Sequence, residues 1–306
     1  MRKKRNRIRI AGINPRRFDR SQLKFFAYLI PISIIMGIPI IFICFNAFKP
    51  LEELLNYPPK LITLRPTLQN FQNLVATSAN KPIPMSRYLF NSILSTICVV
   101  GFTLLITVMA SYCMSKKRYR LKNALFAINE AALMFVSVAV AIPRYIIVNE
   151  LGMVDSFWAH VIPLLAMPVG LYLVKQFIDD LPDSMIEAAR IDGASDYRIL
   201  LRIVVPNIIP ALATVAILAF QASWNSVEAS NYYINNEALK SFSFYMSTLT
   251  ANTGNANAMV GQLSGNAIAG LGMQAAASLI MFLPNLVMFI VLQSRVMNTM
   301  SHSGMK

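Results

Sequence analysis

Long apolar runs govern what this chain can fold into. Six stretches, 25–47, 88–112, 123–148, 158–178, 206–224 and 273–293, each approach the length of about 20 residues that a helix needs to cross a bilayer. Within hydrocarbon the backbone must satisfy its own N–H and C=O groups, so each run is expected to be helical. Only 14% of the 306 residues are charged and 56% are hydrophobic. A soluble globular chain carries roughly 25% charged residues, so that class is excluded. The runs 123–148 and 158–178 are the least uniform, because they hold Glu130, Arg144 and Lys175. Charges at membrane depth are functional candidates by default, but all three are read here as anchors whose stems lie in the apolar layer while their heads reach its edge.

The formal charge of +14 is concentrated at the ends of these runs. Ten of the 28 Lys and Arg lie in residues 1–24, and five more in Lys116–Lys122. Six spans put both termini on one side. With that side inside, the inner segments hold 20 of the 28 cations and the outer ones 6. Short cytoplasmic segments accumulate Lys and Arg, so both termini are expected in the cytoplasm. Orientation and contact with anionic membrane lipid account for the basic tail, and no nucleic-acid partner is expected. The first run contains Pro31 and Pro39 and has no small-residue cleavage site before Lys49, unlike a signal peptide. Cys44, Cys98 and Cys113 are odd in number, lie in apolar stretches and have no ligand spacing, so they read as buried small hydrophobes. His160 and His302 are too far apart to form a ligand motif, and no nucleophile motif occurs. Neither a metal site nor an enzyme is expected.

Pro31, Pro39, Pro143, Pro163, Pro168, Pro210 and Pro284 all fall within the runs. Membrane helices tolerate proline when neighbours re-satisfy the freed backbone groups. The plain expectation is continuous helices; broken helices lining a pathway are the alternative.

One polar insert, 179–205, interrupts this pattern and carries six of the 14 acids. Ser184 and Glu187 have the spacing of a capping box, with Ser184 as the cap of a short helix. Ile186, Ala189 and Ile191 would share its inner side, and Gly193 supplies the left-handed residue that ends it. Ser195 or Asp196 can cap a second helix through Leu200 and Leu201, and Pro206 fits the first turn of the fifth span. Two alanines beside Glu187 present a low surface on which a partner groove can close, and the carboxylate can take a partner arginine in a bidentate pair. The alternative is an ordinary capped turn.

Glu187-Ala188-Ala189, three residues, Gly193, nine residues, Ile203, one residue and an aliphatic–Pro206 pair resembles the EAA signature of ABC-transporter permeases. The likeness extends to Leu151-Gly152-Met153-Val154-Asp155-Ser156 with Val161-Ile162-Pro163, to Trp224-Asn225, to Ala275–Pro284 and to Gly304-Met305-Lys306. Pro58-Pro59-Lys60-Leu61 through Leu68-Gln69-Asn70-Phe71 is similar to the family's first outer loop. Over residues 25–306 the chain resembles the smaller six-span subunit of maltose-type permeases; Val205 stands where that group usually has Leu.

The resemblance implies an all-α membrane protein with the type I ABC importer permease fold, six transmembrane helices and a cytoplasmic coupling helix. Its parts would be a basic tail (1–24), a first span with outer loop (25–87), a permease core (88–293) and a C-terminal tail (294–306). Glu187, Ala188, Ala189, Asp192, Gly193, Ile203 and Pro206 would couple it to an ATPase. Implied partners are a second homologous permease subunit, two cytoplasmic ATPase subunits and an extracellular solute-binding protein. ATP and Mg²⁺ would be bound by those partners and no cofactor by this chain, which lacks the Gly-x-x-x-x-Gly-Lys-Ser/Thr phosphate loop. Import of a sugar or oligosaccharide across a bacterial cell membrane is the implied function. Alternatives are an ABC permease for an amino acid, peptide or phosphate, and an ion-coupled secondary transporter, although repeat symmetry and paired midplane carboxylates are missing.

The segment 225–272 is rich in Asn, Gly, Ser and Tyr and includes Asn231-Tyr232-Tyr233-Ile234-Asn235-Asn236. Its amides and aromatic faces suit contact with a binding protein or with sugar, and a solvated loop is the alternative. Gln221, Asn225 and Tyr232 are the candidates for the pathway mouth.

Overall fold

The computed structural model describes residues 22–54, 58, 60–79, 82–249 and 265–303. The basic tail through residue 21, the terminal 304–306 and the stretch 250–264 of the long polar segment lie outside the described residues. Among the described residues every regular element is helical. The main ones are α1 (Gln22–Phe48), α2 (Gln69–Ala79), α3 (Met85–Lys116), α4 (Lys122–Leu133), α5 (Ala141–Glu150), α6 (Pro168–Asp179), α7 (Asp183–Ile191), α8 (Asp196–Asn207), α9 (Ile209–Trp224), α10 (242–249) and α11 (Gly265–Ser303).

Three helical stretches are long and apolar enough to cross a membrane unbroken: Phe25–Phe48, Met85–Lys116 and Gly270–Ser294. Two further candidates are bent pairs, Phe157–Leu165 with α6 at 45° and α8 with Ile209–Tyr232 at 82°. The run 123–148 is not one helix, because α4 and α5 are separated by the non-helical stretch 134–140. Length and composition thus give three to five spans among the described residues, where six were expected.

Proline position explains the breaks. Pro31, Pro39 and Pro284 sit inside continuous helices. Pro163, Pro168 and Pro210 instead occupy the first two positions of new helices, and Pro143 is the third residue of α5. A proline ring clashes with the carbonyl four residues back, but in the first turn no such bond is needed. At these four prolines the runs are broken rather than continuous.

The centre of the bundle is α3, which packs against α6 and α9, while α1 packs against α11. Its buried stripe is small and polar: Asn91, Ser92, Ser95, Thr96, Thr103, Thr107 and Ser111 recur at helical spacing. Its exposed side carries Phe90, Ile97, Phe102 and Leu105. This reverses the pattern of a water-soluble helix. Lipid is as apolar as leucine, so small residues that permit close backbone approach and hydroxyls that bond across helices occupy the interface. Thr96 and Ser223 hydroxyls meet at 3.2 Å, and Ser111 Oγ donates to the Leu171 carbonyl at 3.1 Å.

Asn70 ties the first helix to the last. Its buried amide donates to the Ala47 and Lys49 carbonyls at 3.0 and 2.9 Å, occupying acceptors that the end of α1 leaves open. Gly272 of α11 lies directly against it: a Cβ added there would fall 2.7 Å from Asn70 Cγ. Gly272→Ala is expected to destabilise the protein by about 1–3 kcal/mol through overpacking. Gly101→Ala, in open space within α3, is the control and should be neutral or stabilising. Thermal unfolding of the two variants in one detergent checks both.

Candidate functional site

α7 begins one residue before the expected cap. Asp183 is its first residue and Pro182 its cap, with no side-chain capping bond, so Ser184 lies inside the helix and the Ser184–Glu187 box does not form. Proline's fixed φ and its extended ψ of 130° set the entry angle instead. Gly193 ends the helix at φ +78°, as expected, and Ala194 N–H returns to the Ala189 carbonyl at 2.9 Å. Ser195, one of the two candidates, caps α8 by accepting the Arg198 N–H.

The inner side of α7 is fixed and its outer side is free. Ile186 and Ala189 join a buried cluster with Ile199, Leu200 and Val204 of α8, Tyr112 of α3 and Ile178 of α6, and Ile203 packs against it. Glu187, Ala188, Asp192 and Gly193 are exposed. Ile191, expected on the inner side, is 87% exposed, so the free edge presents Glu187, Ala188 and Ile191 together. Ile191 follows Ala188 and Glu187 by three and four residues but Ile186 by five, so helical spacing itself sets it on the free edge.

Pro206 is likewise not at the start of the fifth span. It is exposed within the last turn of α8, after a wide helical turn over Leu200–Val204. Because Pro206 has no N–H, a regular turn would leave a carbonyl unpaired; the wide turn and the Asn207 side chain, which donates to the Ile203 carbonyl at 2.7 Å, take up the slack. The chain then turns by 82° and α9 restarts with Pro210 in its first turn.

Charge is distributed around this loop in pairs. Lys116 Nζ donates to Asp183 Oδ1 at 2.7 Å, Lys117 pairs with Asp196, and Arg190 reaches Asp196 at 3.5 Å. The hydrogen bond from Lys116 holds the Asp183 carboxyl below its usual range, and the bond from Lys117 does the same for Asp196. Lys175 also finds a partner, Asp179 at 2.6 Å, and stands 4.3 Å from the Phe126 ring centre, whereas Glu130 is exposed on α4.

A cleft of about 610 Å³, lined by apolar side chains with a few polar ones among them, opens where three helix breaks converge. Ser137 comes from the gap between α4 and α5, Ala166 and Met167 from the gap before α6, and Asn225–Val227 from the end of α9. Gln221 and Asn225 both line it; Tyr232 does not, and is exposed elsewhere. The sequence reading missed the feature that charges this cleft. Arg144 Nη1 donates to both carboxylate oxygens of Glu228 at 2.9 Å, and Tyr233 Oη donates to Oε1 at 2.9 Å. Arg144 is thus paired across two elements rather than reaching for the membrane edge. A charge near the end of an apolar run was the available signal, but its partner lies 84 positions away.

Beside the cleft, the connector 151–156 clamps the segment after α9. Asp155, in the left-handed region at φ +57°, accepts the backbone N–H of Asn236 at 2.9 Å and of Asn235 at 2.5 Å. These bonds, Asn236 first, hold its carboxyl below the ordinary range.

Residues 102–294 match the family described as binding-protein-dependent transport system inner membrane component. The chain is 29% identical over 226 residues to the melibiose/raffinose/stachyose import permease protein of Bacillus subtilis, covering 71% of this chain and 76% of that one. It is 27% identical over 226 residues to the sulfoquinovosyl glycerol transport system permease protein of Agrobacterium fabrum, covering 73% and 77% respectively. Its fold is similar to a chain in the crystal structure of a bacterial ABC transporter involved in import of the acidic polysaccharide alginate. The TM-score is 0.73 at 21% identity, over 91% of this chain and 98% of that one.

Two outcomes are expected. Glu228→Ala strands Arg144 and should cost about 1–3 kcal/mol, with Arg144→Ala/Glu228→Ala costing less than the sum of its singles; unfolding of the four proteins in detergent reads the cycle. Asp155→Asn should speed amide exchange at Asn235 and Asn236 at neutral pH. The wild-type clamp is complete above the unfolded-state pKa and is lost only as pH falls through the lowered folded value. At about pH 4, where an unperturbed aspartate is half protonated, wild-type protection should therefore persist.

Proposed function

The chain belongs to the family of binding-protein-dependent transport system inner membrane components, and we propose that it is a permease subunit of an ABC importer for a sugar or oligosaccharide. Relatives described as a melibiose/raffinose/stachyose import permease and a sulfoquinovosyl glycerol transport system permease support the substrate class. The proposed partners are a second homologous permease, two cytoplasmic ATPase subunits that bind ATP and Mg²⁺, and an extracellular solute-binding protein. The 20-to-6 division of Lys and Arg supports cytoplasmic termini and a cytoplasmic α7. The permease core is taken as 88–293, flanked by the tail 1–24, the segment 25–87 and the tail 294–306.

The observation that carries the mechanism is the two-sidedness of α7. Its inner residues Ile186 and Ala189 are locked to α3, α6 and α8, while Glu187 and Ala188 stand free. An ATPase groove can close on that free edge, with Glu187 taking a partner cation. Movement of the groove then carries α7, and through the cluster it carries the spans. Ala188 keeps the contact close, and Ala189, small and buried, seats α7 on the cluster; Asp192 and Gly193 shape the turn; Ile203 and Pro206 join the loop to α8 and its bend. Alternating access would open the Gln221–Asn225 cleft toward each side in turn. Tyr232, on the exposed surface, is assigned to contact with the binding protein.

The test is ATP hydrolysis by the purified complex, stimulated by sugar-loaded binding protein. Glu187→Ala should weaken stimulation or release the ATPase. Gly193→Pro should abolish it, because proline cannot adopt φ +78°. Normal transport and hydrolysis in both assembled variants would reduce the loop to a structural turn.

A further inference from the structure

We propose that the basic connector between α3 and α4 is a brace for the docking loop, with Lys116 and Lys117 as positioning residues that fix the angle of α7 and α8 against α3. The inference rests on the importer reading and assigns the work of coupling to residues outside the EAA signature.

The geometry is that of one short segment holding several helix ends. The Lys116 side chain is 8% exposed and donates to Asp183 at 2.7 Å and to the Leu181 carbonyl at 2.8 Å, gripping the start of α7. Lys117 pairs with Asp196 in the first turn of α8, and Asp196 also receives Arg190 from the last turn of α7. Ser115 Oγ donates to Asp179 at the end of α6 at 2.5 Å, and Lys122 Nζ, at the start of α4, returns to the Ser115 carbonyl at 2.8 Å. The ends of α3, α4, α6, α7 and α8 are therefore joined through residues 115–122. A cleft of about 680 Å³ separates the connector from α7, so contact there runs through these side chains rather than through packed apolar surface.

Magnitude separates bracing from stabilising. Asp183 is 77% and Asp196 52% exposed, and solvent screens ion pairs to such carboxylates, so they add little to stability. Removing them should barely change unfolding. Angle is another matter: the apolar cluster fixes α7 from one side only, and a helix held on one side can roll. Lys116 holds its start, and its last turn is tied through Arg190 to the Asp196 that Lys117 holds, which opposes rolling. A push on Glu187 then reaches the end of α3 instead of being spent in rotation of α7.

The experiment uses the full complex reconstituted with its binding protein and sugar, comparing wild type, Lys116→Ala/Lys117→Ala and Lys116→Arg/Lys117→Arg. The double alanine variant should keep its ATPase subunits and its melting temperature while sugar-stimulated transport per ATP falls about five- to tenfold, the lower range of inter-site coupling. The double arginine variant should restore most of it. Equal coupling in wild type and the assembled alanine variant overturns the brace. Should the alanine variant fail to assemble, Lys117→Gln and Asp196→Asn are measured in the same way, and undiminished coupling in both overturns it equally. A wild-type complex in which sugar-loaded binding protein stimulates nothing sinks the importer reading itself, a result distinct from either.

Discussion

Helices in a bilayer gain nothing by hiding leucine from lipid, and the structure depends on what α3 uses instead. Its inner stripe of Ser, Thr and Asn lets α6 and α9 approach closely and bond to it. The same stripe reaches the chain beyond α9: Asn91 donates to the Ala238 and Lys240 carbonyls, and Ser92 Oγ accepts the Phe242 N–H at 2.8 Å. Trp224, Phe242 and Tyr245 can then pack into one cluster with Tyr88. The large apolar residues of α3 are left facing outward, where lipid solvates them.

A second constraint follows from the first. Non-helical backbone at membrane depth is tolerated only where protein covers it or a water-filled space lines it. Ser137, residues 166–167 and residues 225–227, each from a break, meet at one cleft that also holds the Arg144–Glu228 pair, while the rest of 134–140 lies on the outer surface. Amide side chains and a compensated charge thus share one cleft with residues from three of the breaks. Prolines set three of the restarts that frame this space, at Pro143, Pro168 and Pro210.

Much of this was legible in the chain. The first, second and last spans fell within a few residues of their observed bounds, because unbroken apolar length is a strong signal. Gly193 was legible because few residues but glycine accept φ +78° where a helix must turn back. Ser184 misled because the capping pattern is met by spacing alone, while the helix start was decided one step earlier by Pro182 and Asp183. The run 123–148 misled for another reason: hydropathy sums composition, and Met134-Phe135-Val136-Ser137-Val138-Ala139-Val140 is apolar whether or not it is helical. Pro143 was the clue, since its ring denies the Ala139 carbonyl a helical approach. Gln221 and Asn225 were brought together as expected; Tyr232 was not, because the turn after α9 points it away from the cleft. Pairings such as Arg144 with Glu228 were invisible, being set by the packing of distant segments.

The sharp bend at Ile208 has a mechanical meaning. α8 leaves α9 at 82°, so it stands out from the axis of that span like the arm of a crank. At 1.5 Å per residue the arm is about 18 Å long, and a sideways shift of about 3 Å at its tip corresponds to about 10° of twist in the shaft. A displacement parallel to the membrane surface thereby becomes torque within it, and the polar end of α9 sweeps round without any helix having to slide through the lipid.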